Sequence, residues 1–187
     1  MSDTVHSRLQ QIFDSPGLAG LGPQPRSASQ PLAALNTSLD EVLRQSGLSA
    51  VRQQLLRALL LLWHDHLDAS HTISQGIENA DGSLVHAIMH RREPDYWNSK
   101  YWWRRVGSHA CFPELARRVG DFLKANGERD LAAKLLPRGE WDPFAFVDAV
   151  EAAAGWPAAD QRVGLLREIQ RLESEVALDH FLGRNAS

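Results

Sequence analysis

The sequence predicts an all-α fold: a single compact domain of six to eight helices behind a flexible N-terminal arm. Apolar residues recur at helical spacing through most of the chain, and helix starts and stops punctuate those stretches. No alternating pattern of comparable quality marks a strand. The 187 residues, 43% hydrophobic and 23% charged, suit one soluble domain.

The arm is assigned to residues 1–31, because SPGLAGLGPQPRSASQP, from Ser15 to Pro31, is crowded with Gly, Pro and Ser, which favour turns over helix. In the domain, 32–187, the S-x-x-E spacing of Ser38-Leu39-Asp40-Glu41 forms a capping box for a short helix that stops at Ser46-Gly47. Ser49 caps a scaffold helix that reaches about Ile77, roughly 40 Å at about 1.5 Å per residue. Asp81-Gly82-Ser83 supplies a turn and a cap for a helix from Leu84 to about Glu93, which Pro94 ends. Asn98 or Ser99 starts another, ending at Gly107. Pro113 opens the next, with Leu115, Val119, Phe122 and Leu123 on one face and Asn126-Gly127 as its stop. Asp142-Pro143 repeats that cap-and-proline start. A last helix after Pro157 aligns Leu165, Ile169, Leu172 and Val176 on one stripe.

Composition excludes several function classes. Against 23 Asp and Glu stand 20 Lys and Arg, so the net charge of -3 provides no global field for a polyanion and disfavours nucleic-acid binding. A single cysteine, Cys111, excludes an internal disulfide and a Cys-rich zinc site. The longest apolar run, Ala58 to Trp63, falls far short of the roughly 20 residues of a membrane span. MSDTVHSRLQ lacks the basic start and apolar stretch of a secretory signal, so the expected location is cytoplasmic. No GxxxxGK[ST], GxGxxG or GxSxG motif is present.

The histidines carry the chemistry. At about 100° per residue, His64, Asp68, His71 and Gln75 share one face of the scaffold helix. His86, His90 and Glu93 stand at i, i+4 and i+7 on the next, and the short turn makes the two helices expected neighbours. If the faces meet, His64, Asp68, His71, His86 and His90 are metal-ligand candidates, because imidazole and carboxylate suit zinc, iron or manganese. Without a metal, His90 and Glu93 are the catalytic acid-base pair. The competing expectation is a polar helix face whose histidines bond carbonyls or carboxylates. His66 points to the opposite side as a structural residue, and His6, His109 and His180 have no comparable company. Ala87 stands where the H-E-x-x-H metalloprotease helix needs its Glu. The His64-Asp65 doublet resembles HD-domain phosphohydrolases, all-α enzymes that chelate a metal through an H, HD, D pattern. Only His6 lies upstream to supply the first histidine of that pattern.

From Arg91 to Arg105 the segment RREPDYWNSKYWWRR carries a local excess of positive charge, three of the six tryptophans and both tyrosines. Tyr101, Arg104 and Arg105 fall within one helical turn as ligand-binding candidates, guanidinium gripping an anion while a ring covers an apolar face. The same composition serves equally as an internal brace, with Glu93 and Asp95 neutralising Arg91, Arg92 or Arg105.

WHDHLDASHTISQ at 63–75 and HAIMHRREPDYWNSKYWWRRVGSH at 86–109, about a fifth of the chain, resemble a family of bacterial and fungal proteins sharing WHDxLDxSH and HxIMHRREPDYxNSKYWxRRVG. The resemblance implies no activity, fold or cofactor. The expected function is therefore drawn from the side chains: a helical protein with one ligand pocket, performing metal-assisted or His/Glu acid-base chemistry on a small anionic metabolite. The alternative is a non-catalytic binding or scaffold protein. Exposed aromatic residues also allow a homo-oligomer contact.

Overall fold

Leu55, Leu56 and Ala58 to Trp63 leave the second half of one helix almost no polar side, so it can persist only as a core element. In the computed structural model, which describes residues 3–184, that helix is the third of ten: α1 (Asp3–Asp14), α2 (Leu32–Arg44), α3 (Ala50–Trp63), α4 (Leu67–Ser74), α5 (Ala80–Arg92), α6 (Tyr96–Val106), α7 (Phe112–Ala125), α8 (Arg129–Leu135), α9 (Pro143–Ala152) and α10 (Gln161–Phe181). No strand occurs among the described residues. The all-α expectation holds, with more helices than the six to eight expected.

Several boundaries follow the expected local chemistry. Ser49 accepts a hydrogen bond from Arg52 N at the start of α3, and Asp142 accepts from Phe144 N and Ala145 N at the start of α9. Two differ. Ser38 lies inside α2, where its hydroxyl donates to Ala34 O, because the apolar face extends back to Leu35. The cap of α5 is Asn79, which accepts from Gly82 N at 2.8 Å, so Asp81 and Ser83 are inside the helix.

The expected scaffold helix is two helices. His64, Asp65 and His66 separate α3 from α4, and Asp65 takes a left-handed conformation at φ 68. Its side chain is fully buried, accepting hydrogen bonds from Arg26 (2.8 Å), Ser29 (2.5 Å) and Arg92 (2.6 Å). The two guanidinium groups also donate to Trp63 O and Leu62 O at the negative end of α3, Leu62 O accepting from Asp65 N as well. Breaking the helix thus replaces the regular i→i−4 pairing around Asp65 with shifted backbone bonds and a charge-assisted network.

The same network corrects the expectation of a flexible arm. Helix α1 buries Val5, Leu9 and Phe13, and Phe13 stacks on Trp63 at 4.4 Å. Residues 15–31 form no helix, but Arg26 and Ser29 tie them to Asp65, and Arg167 and Gln170 of α10 donate to Leu18 O, Ala19 O and Gly20 O. Gly and Pro stop helix formation there without freeing the chain.

Helix α5 packs against α3, α4 and α6 and is buried from Gly82 to Arg92. Its start lies so close to the preceding loop that a Cβ on Gly82 would stand 2.1 Å from Ile77 O. Gly82→Ala therefore destabilises the protein by about 1–3 kcal/mol despite alanine's better helix propensity; urea melts measure it. Asp65→Asn costs about 3–5 kcal/mol at pH 7, because it leaves the buried Arg92 and the partly buried Arg26 short of a counter-charge. Burial alone would raise the Asp65 carboxyl, but bonds from Arg26, Ser29 and Arg92 outweigh it and hold the group well below its ordinary 3.8. This stabilisation is present above pH 3.8 and is lost as pH falls toward the folded value, so the two proteins converge only in acid.

Candidate metal centre

Helix α4 contributes His71, α5 contributes His86 and His90 one turn apart, and α6 contributes Asn98 and Trp102 beside them. Breaking the rod at Asp65 resets the phase of α4 relative to α3, and α4 packs on α5. The three imidazole rings lie 4.7 Å (His71–His86), 5.2 Å (His71–His90) and 4.7 Å (His86–His90) apart by centroid. One ring nitrogen from each lies within 4.8 Å of the others. Nitrogens sharing a tetrahedral zinc at bonds of about 2.0–2.1 Å are about 3.4 Å apart, so ring rotation and small shifts would be needed for the three to share one ion.

His86 is the anomaly. It is 2% exposed, and neither ring nitrogen has a hydrogen-bond partner. Leaving such groups unpaired inside a protein costs on the order of 1–3 kcal/mol each. Burial, reinforced by repulsion from His90 and His71, pushes its pKa down to about 3, so at neutral pH the ring is uncharged and keeps a lone pair for a metal. Burial lowers His90 as well, with Glu93 opposing it. His90 Nδ1 meets Glu93 Oε2 at 3.1 Å, which orients the ring and directs Nε2 elsewhere. The Asn98 amide stands 3.1 Å from that Nε2, a contact that a metal bound there would displace.

Aromatic residues cover the group. Trp102 stacks on His86 at 3.9 Å and 22°, the Arg105 guanidinium sits 5.2 Å over Trp102, and Tyr101 meets Trp102 edge-on at 5.5 Å. Trp97, 75% exposed, continues the row by stacking on Tyr101. Arg104 is turned away, 5.9 Å over Phe144, and lines a separate cavity of about 890 Å³ with His109 and Trp141.

Other expected site residues do not join the group. His64 is fully buried with both nitrogens engaged, Nε2 donating to Ile12 O at 2.9 Å and Nδ1 accepting from Gln30 N at 3.3 Å. Asp68 is exposed and lines, with Asp65, His66 and Glu93, a cavity of about 380 Å³. The His64-Asp65 doublet is committed to holding the arm, which removes the residues the phosphohydrolase resemblance requires. His66 Nε2 bonds Gln30 O at 2.8 Å. Arg91 and Arg92 act as braces, with partners other than those expected: Glu173 for Arg91 and Asp65 for Arg92. Glu93 turns to His90, and Asp95 caps α6.

Sequence spacing missed another cluster, Asp81 with His109 and His180, because its members lie 28 and 99 residues apart and no local period links them. Comparison with protein-family models, curated proteins and solved structures gives no match for this chain.

The metal-free protein should lose stability between pH 6.5 and about 3. Across that window the unfolded chain accepts a proton that folded His86 refuses, so stability rises with pH by up to roughly one proton from this residue. Denaturant melts at stepped pH should show a flatter profile for His86→Phe. An unchanged profile would contradict the assignment.

Proposed function

We propose that His71, His86 and His90 hold one divalent transition-metal ion, with zinc, iron and manganese the candidates, and that the protein performs metal-assisted acid-base chemistry on a small anionic metabolite. The unpartnered, uncharged and buried ring of His86, between two other imidazoles, carries this reading. Three protein ligands leave a coordination position for water or substrate, and the ion supplies Lewis-acid polarisation there.

Around it the chain's own groups divide the work. Glu93 fixes the His90 tautomer through Nδ1, and its carboxylate would accept a proton from an attacking water; the 380 Å³ cavity that Glu93 also lines is not lined by the three imidazoles. Trp102 shields the imidazoles from bulk solvent, while Arg105 and the exposed Tyr101 offer a cation and a phenol to an anionic substrate. In the metal-free form of this chemistry, the bonded His90 and Glu93 are the acid-base pair.

The close stacking of Trp102 on His86 favours a second reading, a non-catalytic binding or scaffold protein in which the histidines pack as rings. Zinc separates the two. Stripped protein should melt higher on adding zinc, by an amount equivalent to about 4 kcal/mol at 1,000 times Kd, and His86→Ala/His90→Ala should remove the part of that shift that comes from these three histidines, leaving only what any other zinc site contributes. Glu93→Gln should weaken binding about 10–100-fold through the lost support of His90. A melt indifferent to zinc, manganese and iron leaves the scaffold reading.

A further inference from the structure

Asp81, in the first turn of α5, meets His109 from the α6–α7 loop and His180 from the last turn of α10. Both imidazole Nε2 atoms lie 2.9 Å from the same Asp81 oxygen, and the two rings cross at 66° with centroids 4.9 Å apart. We propose that Asp81, His109 and His180 form a binding site for a divalent transition-metal ion, separate from the His71–His86–His90 group and independent of it.

Three features support this site. Adjacent ligands on a six-coordinate ion with bonds of about 2.1 Å are about 3.0 Å apart, so the carboxylate oxygen already stands at a ligand's spacing from both nitrogens. Two imidazoles and one carboxylate, from three separate elements, match the donor set that open iron and zinc sites use. Finally, His109 lines the 890 Å³ cavity, while His180 lines another of about 780 Å³ with Cys111, Arg118 and Arg184, which gives an ion access and exchangeable positions.

The protonation states are compatible. Hydrogen bonds from His109 and His180 hold Asp81 well below the usual carboxylate range, so it is charged at neutral pH. A metal at His109 Nε2 would require the neutral ring to carry its single proton on Nδ1 instead of Nε2, 2.9 Å from Cys111 Sγ, and so to give up the 3.3 Å bond it accepts from Cys111 N. Cys111 Sγ therefore lies beside the site.

Equilibrium dialysis of chelator-stripped, full-length protein against zinc tests the site, with folding checked by circular dichroism. His86→Ala/His90→Ala protein should still take up one zinc per chain. Adding His109→Asn/His180→Asn should remove that uptake. No uptake by the first variant, or uptake unaffected by the second pair, overturns the proposal. If the first variant fails to fold, the comparison is wild type against Asp81→Asn, which keeps the side chain's shape: losing one equivalent, or at least about tenfold in its affinity, supports the site. Equal stoichiometry and affinity overturn it. Zinc lost on changing Asp81 but not on changing His86 and His90 would retain this site while removing the His71–His86–His90 centre.

Discussion

One buried carboxylate organises the molecule. Asp65 sits in a left-handed turn between Arg26 and Arg92 and determines three things together: α3 stops at Trp63, the chain before α2 is tied down, and the C-terminal end of α5 is anchored. Its attraction to two guanidinium groups, with further bonds to Ser29 and the α3 carbonyls, offsets the desolvation of the charges, although Arg92 Nε is left without a partner. The unbroken rod expected from the sequence would have aligned His64 with His71. The break assigns His64 to the backbone of Ile12 and Gln30 and leaves His71 beside α5.

Helix α5 presents the complementary problem: its sequence is rich in polar residues, yet it is buried on every side. Arg91 and Arg92 resolve their charges through Glu173 and Asp65, and His90 through Glu93, whereas His86 has no such partner. A fold that supplies counter-charges to two deeply buried arginines while leaving a neighbouring imidazole bare concentrates functional interest on that imidazole. Cation-π contact between Arg105 and Trp102 then continues the stack outward from His86 to the surface.

What was legible in the sequence was local. Ser49, Pro94 and Asp142-Pro143 mark helix boundaries through interactions spanning a few residues, and the four-residue spacing of His86 and His90 places both on one helix face. The missed features depend on distant partners. A Gly- and Pro-rich segment reads as loose until Arg26 meets a carboxylate 39 residues away, and Asp65 reads as helical until that arginine arrives. Asp81, His109 and His180 are individually unremarkable polar residues, joined only by the packing of α10 and the α6–α7 loop on the start of α5. Arg104 and Arg105 are adjacent in sequence, yet their side chains serve different rings, Phe144 and Trp102.

The most direct measurement is anomalous diffraction at the zinc edge from crystals grown with zinc. An ion enclosed by His71, His86 and His90, with bonds of about 2.0–2.1 Å to one nitrogen of each, is the predicted result. Zinc-saturated crystals with no anomalous peak among those rings, and with His86 still packed under Trp102, would contradict the metal centre.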